Sequence, residues 1–249
     1  MSVEQIAQEY DRIAESLGLY PSFYEFITQK FLSYHLPATS SIVDVGCGRA
    51  QLLSSLVEHG YHALHGIELS PRIAGLARNQ LPAAEIWVHD ITAKPLKGRF
   101  QIAFMTEVVE HLVNPVAGLR NVYESLCDEG WLFLSFPNRL AFFPWYLLQP
   151  VVDKLRRWPD WHQRAQWLAL PYEMRSLQPI DHSYAPQEVA DFLRRAGFHI
   201  IQYDGMRLLP MLRIPGWDWT NNTVATLERV SRNFIPKFLY YRYVFVCRK

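Results

Sequence analysis

Two glutamates and a histidine near the middle of the chain carry the side chains best suited to acid–base or metal chemistry. Glu107, Glu110 and His111 form a Glu-x-x-Glu-His pattern directly after an apolar segment. Either Glu110 or His111 could act as a general base, because each can accept a proton from a substrate. A later histidine, His182, could complete a set of two carboxylates and two imidazoles that suits a divalent ion. A third interpretation is that this segment only shapes a loop and caps the next helix.

A second group of residues predicts a nucleotide-like ligand. The β-branched, apolar run that begins at Ile42 predicts a buried strand, and Gly46 and Gly48 follow it. Glycines at this point favour a turn where backbone approaches a ligand, and the next helix would offer free N–H groups. A carboxylate about 20 residues further on can bind ribose hydroxyls, and Glu68 has this spacing. The third glycine of a dinucleotide fingerprint is replaced by Gln51, which disfavours a nicotinamide or flavin ligand.

Alternating strands and helices are predicted to position these residues. Besides the run at Ile42, the predicted strands are 63–68, 85–90, 100–105, 131–136, 199–203 and 239–246. Helices are predicted between them, including one around 116–127 and one that begins at Pro186 and ends at Gly197. Such alternation implies a parallel sheet with right-handed crossovers. In that sheet, the glycine turn and the Glu110–His111 pair follow strands at the same carboxyl edge.

Composition limits the remaining possibilities. The chain has 249 residues, enough for one large α/β domain, and a formal net charge of +1. This balance disfavours extensive nucleic-acid binding, because no strong field would steer a polyanion. The cysteines at 47, 127 and 247 make no CxxC spacing. No signal peptide and no membrane-spanning run of about 18 apolar residues is visible, so we expect a cytoplasmic protein without a transmembrane segment.

Four segments occur in a fixed order between residues 40 and 140. They are Val43–Gly48, Glu68 after the second strand, Asp90-Ile91 after the third, and Glu107–Leu112 after the fourth. Taken together, they resemble a class I S-adenosylmethionine-dependent methyltransferase. Many members of that class carry a further glycine where this chain has Ala50, and alanine is small enough to be compatible with binding.

The resemblance implies a Rossmann-like α/β fold with a seven-stranded, mostly parallel sheet. Its strand order would be 3-2-1-4-5-7-6, with strand 7 antiparallel. The chain would form a single domain, with helical insertions after strands 5 and 6. Its predicted parts are N-terminal lid helices at 1–39, a cofactor-binding core at 40–138, and substrate-cap insertions at 139–180 and 207–236.

The resemblance also implies a set of contacts to the methyl donor S-adenosyl-L-methionine, which leaves as S-adenosyl-L-homocysteine. The residues concerned are Asp44, Gly46, Cys47, Gly48, Glu68, Leu69, Asp90, Ile91, Thr106 and Tyr10. The glycine turn with Asp44 would hold the methionine part, and Glu68 the ribose. Asp90 would accept from the adenine amino group, and Leu69 and Ile91 would lie beside the ring. Thr106 would lie near the methionine end, and Tyr10 resembles a lid tyrosine.

The implied function is methyl transfer to a small-molecule or lipid-like acceptor, most simply on oxygen. The Glu-His-Leu pattern occurs in similar enzymes that act on quinones and other small molecules, and there His111 or Glu110 would be the base. One alternative is a divalent-metal-dependent RNA 3′-terminal ribose 2′-O-methyltransferase, in which Glu107, Glu110, His111 and His182 hold the ion. Another is a non-catalytic protein that binds the cofactor to regulate a partner. The oligomeric state and the acceptor do not follow from the sequence.

Overall fold

A single mixed sheet carries the fold in the computed structural model. The structure describes residues 2–14, 21–142, 154, 179–182, 184–206, 236–237 and 240–249. The strands are β1 Ile42–Val45, β2 Leu64–Glu68, β3 Glu85–Val88, β4 Phe100–Thr106, β5 Leu126–Pro137, β6 His199–Met206 and β7 Arg242–Arg248. The α-helices within those ranges are α1 Val3–Ile13, α2 Pro21–Leu32, α3 Gln51–Glu58, α4 Pro71–Gln80, α5 Pro115–Ser125 and α6 Pro186–Ala196. Short 3₁₀ helices cover Val109–His111 and Arg139–Phe142.

The sheet has seven strands in the order β3-β2-β1-β4-β5-β7-β6, which confirms the predicted topology. Strands β1 to β5 pair in parallel, whereas β7 runs antiparallel to both β5 and β6. The crossover helices explain the parallel part, because a parallel pair cannot be closed by a tight turn. The carboxyl ends of β1, β2, β3 and β4 therefore meet at one edge.

Helices cover both faces of the sheet, with a separate core on each. Alternation along β1 shows the division: Ile42 packs into one core, and Val43 and Val45 into the other. On the first face the sheet packs against α2, α3 and α4, with Phe31 against the rings of Phe104 and Phe133. Helices α5 and α6 cover the opposite face. The continuously apolar strands are thus explained by burial on both sides.

The N-terminal helices occupy different places. Helix α2 lies on a face of the sheet and buries Phe23, Ile27 and Phe31, so these residues belong to the core. Helix α1 reaches the carboxyl edge, where its Asp11 contacts the first turn of α4. The predicted end of the first helix, around Leu17 and Gly18, lies outside the described residues. A lid function for residues 1–39 remains a prediction.

Most element boundaries differ from the predicted ones by a few residues. The predicted helix over 116–127 ends at Ser125, and Cys127 belongs to β5, which bulges between its pairings with Phe100 and Ile102. The last strand begins at Arg242 rather than at residue 239, because antiparallel pairing with β5 starts from Pro137. The end of α6 at Gly197 is confirmed, with φ of +108°. Most of 139–180 and 207–236, including the predicted helix around Val224, lies outside the described residues. No helix in the described ranges is long and apolar enough to cross a membrane.

Candidate active site

An open cleft of about 770 Å³, partly shared with solvent, lies at the carboxyl edge of the sheet. Its lining residues are Tyr10, Val45, Gly46, Gly48, Ile67, Glu68, Leu69, Ile73, His89, Asp90, Ile91, Glu107, Val108, His111 and Leu112. Residues that are far apart in the sequence come together here, because each follows a strand of the same parallel group. We call this space the donor cleft.

Backbone hydrogen bonds between strand ends fix the edge of the donor cleft. The N–H groups of Gly46 and Cys47 both donate to the carbonyl of Ile67, at 2.8 and 3.0 Å. The N–H of His89 donates to the carbonyl of Glu68 at 3.0 Å. These bonds hold the loops after β1, β2 and β3 at constant spacing, so the groups that line the cleft are positioned by backbone rather than by flexible side chains.

The glycine turn has the conformation that its sequence predicts. Gly46 has φ of +74°, and a Cβ placed on it would lie 2.5 Å from Cγ2 of Val108. Gly48 has φ of +52°, and a Cβ placed on it would make an ordinary contact of 3.9 Å with Oε1 of Gln51. Ala50 also takes a left-handed conformation, with φ of +62°, at the position where many similar enzymes carry glycine. An L-residue there costs about 1 kcal/mol or more, which explains the usual glycine.

Glu68 lies at the end of β2 with its carboxylate held in place. Its Oε2 accepts from the N–H of Gly48 and its Oε1 from the N–H of Ser70, both at 3.1 Å. Burial raises the pKa of Glu68, and these backbone donors oppose that shift. The N–H of Leu69 is a third backbone donor to this carboxylate, so only part of its roughly four lone-pair sites stays open to a ligand. Glu68 can therefore accept from ligand hydroxyls in the cleft.

Asp90 stabilises a turn and also lines the donor cleft. Its Oδ1 accepts from the N–H of Thr92 at 2.8 Å and from the Thr92 hydroxyl at 2.7 Å. These bonds form an Asx-type turn, which is the plain structural interpretation of an aspartate at this position. Asp90 also lines the donor cleft, as do Leu69 and Ile91. The turn thus leaves Oδ2 as a further acceptor.

Three predicted cofactor residues do not line the cleft. Asp44, Cys47 and Thr106 are buried, at 1, 3 and 6% exposure. Within the described part of the chain, Oδ1 of Asp44 has no hydrogen-bond partner. Burial, followed by the nearby charge of Glu68, raises the pKa of Asp44 well above its usual range. Burial likewise raises the pKa of the Cys47 thiol, so this cysteine is no thiolate nucleophile.

His111 lines the donor cleft as a neutral imidazole with one tautomer favoured. Its Nδ1 lies 2.6 Å from the carbonyl oxygen of Ile180, which can only accept, so Nδ1 carries the proton. Nε2 is then an unprotonated acceptor. Burial lowers the pKa of His111 to about 4. The ring of Tyr10 meets it edge-on, with 6.5 Å between centroids.

Glu110 is next to His111 and does not line the donor cleft. Its Oε1 is 3.7 Å from Nε2 of His111, and its side chain is almost fully buried. Burial, together with the charge of Glu107, raises the pKa of Glu110 well above its usual range. Of the two predicted bases, the geometry favours His111.

Glu107 is engaged by a cation of the protein itself. Its Oε2 lies 2.8 Å from Nε of Arg242, and its Oε1 accepts from the Ser135 hydroxyl at 2.9 Å. His182, the fourth member of the predicted metal set, is exposed. In the described ranges, no three His, Cys, Asp or Glu side chains group as a metal site.

Sequence reasoning missed several residues of the site. Val108 and His89 line the cleft beside predicted residues, and only their adjacency to Glu107 and Asp90 pointed to them. Arg242 had no local signal, because it lies more than a hundred residues after Glu107 and reaches it only through the β5–β7 pairing. Ile180 contributes a backbone carbonyl, which no side-chain pattern could reveal.

The sheet order, the glycine turn and the carboxylate after β2 together define a Rossmann-like fold that binds a nucleoside-containing cofactor. Solved structures show the same architecture. An S-adenosylmethionine-dependent methyltransferase from Mesorhizobium loti matches with a TM-score of 0.59 and 18% identity, over 90% of this chain and 98% of that one. The [4+2]-cyclase SpnF matches with a TM-score of 0.65 and 12% identity, over 100% and 97%. At these identities the likeness concerns the fold alone.

Sequence comparisons identify the family. A family model described as a methyltransferase domain matches residues 19–204. The ubiquinone biosynthesis O-methyltransferase of Xylella fastidiosa is 28% identical over 218 residues, covering 82% of this chain and 76% of that protein. The same enzyme from Xanthomonas axonopodis pv. citri is 29% identical over 185 residues, covering 70% and 69%. The chain therefore belongs to the methyltransferase domain family and is a class I S-adenosylmethionine-dependent methyltransferase.

Proposed function

We propose that this enzyme methylates a hydroxyl oxygen of a small, lipid-like phenol of the quinone type. Similarity to ubiquinone biosynthesis O-methyltransferases supports this substrate class. The observation that carries the proposal is the tautomer of His111, whose unprotonated Nε2 belongs to a residue that lines the donor cleft. A phenol must lose its proton as the oxygen attacks, and Nε2 is an acceptor for that proton.

The residues of the donor cleft fit S-adenosylmethionine. When bound, this donor supplies an activated methyl group on a sulfonium. Glu68 would accept from the two ribose hydroxyls, because its carboxylate is oriented by backbone N–H groups and keeps part of its lone-pair sites open. The bare backbone at Gly46 and Gly48 would hold the methionine part. Asp90 would accept from the adenine amino group, with Leu69 and Ile91 beside the ring.

His111 would take the proton from the acceptor hydroxyl. The carbonyl of Ile180 holds the ring through Nδ1, so the acceptor lone pair of Nε2 keeps one direction. Because the pKa of His111 is lowered to about 4, the ring is unprotonated at neutral pH. Its basicity is correspondingly weak, so the base acts on a hydroxyl that becomes acidic as the bond to carbon forms.

The role of Glu68 can be tested by calorimetric titration with S-adenosylmethionine and S-adenosylhomocysteine. We expect Glu68→Ala to weaken both by about 10-fold or more, because charge-assisted bonds to the ribose are lost. Glu58→Ala, an exposed glutamate at the end of α3, is the matched control and should bind as the wild type does. Unchanged affinity in Glu68→Ala would refute the assigned ribose contact.

The proposed chemistry is tested by methylation of alkyl-substituted catechols with labelled donor. His111→Ala should lower kcat by about 10² to 10⁴ while the donor affinity stays unchanged, because only proton removal is lost. His59→Ala, which changes an exposed histidine after α3, is the control. A chelator should leave the wild-type rate unchanged. Donor binding without methylation of any catechol would contradict the proposed acceptor class, and full activity of His111→Ala would contradict the base.

A further inference from the structure

Asp11 on α1 contacts the first turn of α4 with one carboxylate oxygen. Its Oδ1 accepts from the hydroxyl of Ser70 and from the N–H of Arg72, the latter at 3.0 Å. Ser70 is the N-cap of α4, and its Oγ accepts from the N–H of Ile73 at 3.0 Å. The aspartate thus completes the cap from a different helix, and its negative charge lies at the favourable end of α4.

The same serine leads to the carboxylate of Glu68. The N–H of Ser70 donates to Oε1 of Glu68, while the N–H of Gly48 donates to Oε2. Ser70 is fully buried, so its hydroxyl and its N–H each have a fixed direction. A continuous chain of hydrogen bonds therefore runs from α1 through Ser70 to the carboxylate in the donor cleft. Asp11 itself does not line that cleft.

Two further contacts place α1 over the cleft. Tyr10, next to Asp11, lines the donor cleft and meets the ring of His111 edge-on. At the end of α1, the guanidinium of Arg49 donates to the carbonyl of Ala14 at 2.8 Å. Arg49 belongs to the glycine turn. Helix α1 is therefore fastened to the loops after β1 and β2, which are the two loops that carry Gly48 and Glu68.

We propose that Asp11 is a positioning residue for the methyl donor. It fastens α1 to the cap of α4, which keeps Tyr10 at the cleft and holds Ser70 in the direction that orients Glu68. This inference rests on the proposed contact between Glu68 and the donor ribose. Asp11 lowers the dissociation rate of the donor, and it takes no part in proton transfer from the acceptor.

The test compares binding and turnover in Asp11→Ala, Asp11→Asn and Glu9→Ala. For Asp11→Ala we expect the Kd of S-adenosylhomocysteine and the KM of S-adenosylmethionine to rise about 10-fold, through faster dissociation. At saturating donor, kcat should change less than about 3-fold, since His111 is untouched. Asp11→Asn keeps an acceptor at Oδ1 and should recover most of the affinity. Glu9, on the same helix, pairs with Arg12 one turn further on, so Glu9→Ala should bind normally.

Two readouts separate this role from a general loss of stability. S-adenosylhomocysteine should slow trypsin cleavage after Arg12 in the wild type and in Glu9→Ala, but much less in Asp11→Ala. In a Ser70→Ala background, Asp11→Ala should raise the Kd less than it does in the wild type, because the bond to the shared serine is already gone and only the bond to the Arg72 N–H is lost. Wild-type affinity in folded Asp11→Ala, or an equal loss in Glu9→Ala, would overturn the proposal. Because donor binding needs no acceptor, a failure to methylate catechols would refute the proposed function and leave this inference standing.

Discussion

The surroundings of His111 in the structure favour one of the several roles that its sequence pattern allows. In the sequence, the Glu-x-x-Glu-His pattern is compatible with a base, a metal ligand or a loop former. In the structure, Nδ1 of His111 donates to the Ile180 carbonyl, and Glu107 forms an ion pair with the Arg242 guanidinium. Glu110 is buried and does not line the cleft. These contacts support the role of general base that we propose for His111.

The lowered pKa of His111 predicts a specific pH dependence of stability. Its pKa falls from 6.5 to about 4 on folding, so between these values the unfolded chain binds a proton that the native state does not. Its contribution to the free energy of unfolding is therefore complete above about pH 6.5 and is lost as the pH falls towards 4. From pH 7 to pH 4.5, the wild type should lose about 2 kcal/mol relative to His111→Asn in urea denaturation.

The comparison with His111→Asn isolates this effect from the groups that face it. Glu107, Glu110 and His182 lie around the ring, and the raised pKa of Glu110 makes an opposite contribution in both proteins. Taking the difference between the two proteins largely removes those contributions. Stability curves that run parallel with pH would show that His111 is protonated as easily in the native state as in the unfolded one.

Two glycines of the site region predict opposite results for one substitution. Gly46→Ala should destabilise the fold by about 2 to 4 kcal/mol and abolish donor binding, because it adds a left-handed alanine and an overlap with Val108. Gly75→Ala should stabilise by about 1 kcal/mol, since Gly75 lies inside α4 with open space around it. Urea denaturation and calorimetry measure both. Equal effects of the two substitutions would contradict the geometry of the turn.

At the scale of elements, the antiparallel strand β7 brings an arginine into the site. Its first residue, Arg242, pairs with Glu107 after β4 and lies over the ring of Phe23, with 4.4 Å to the centroid. Its last residue, Arg248, pairs with Glu129, whose side chain is 79% exposed. One strand thus carries a buried ion pair at the end near the cleft and an exposed ion pair at the other end.

This difference predicts unequal costs for the same substitution. Arg242→Met should destabilise the fold by about 3 kcal/mol or more, because the carboxylate of Glu107 is left without its cation in a largely buried place. Arg248→Met should cost about 1 kcal/mol or less, since water screens its partner. Thermal and urea unfolding measure both. Adding Glu107→Gln to Arg242→Met should recover part of the loss, and a cost that stays complete would refute the ion-pair explanation.

At the scale of the whole molecule, the sheet order agrees with the prediction made from the sequence. Apolar runs without alternation indicated strands that are covered on both faces, and the structure shows helices on both sides of the sheet. The order of strands 7 and 6, however, came from the resemblance to methyltransferases. Nothing in the local pattern of 199–203 or 239–246 distinguishes an antiparallel insertion from a further parallel strand.

Local chemistry is what the sequence determines by itself. The conformations of Gly46 and Gly48, the Ser70–Pro71 start of α4 and the stop at Gly197 follow from backbone sterics and capping, which act over a few residues. The position of Glu68 at the cleft also follows, because the carboxyl ends of parallel strands share one edge. A cofactor cleft beside a histidine was therefore predictable.

Protonation states and long-range partners were decided only by the tertiary structure. The pKa of His111 and the burial of Glu110 depend on what surrounds them, and Arg242, Ile180 and Asp11 reach the site from distant segments. Electrostatic energies depend on distance and burial in space, which spacing along the chain does not encode. For this methyltransferase, the sequence thus determines where the cofactor site forms. The packing of α1, β7 and Ile180 determines the orientation and protonation of the groups in that site.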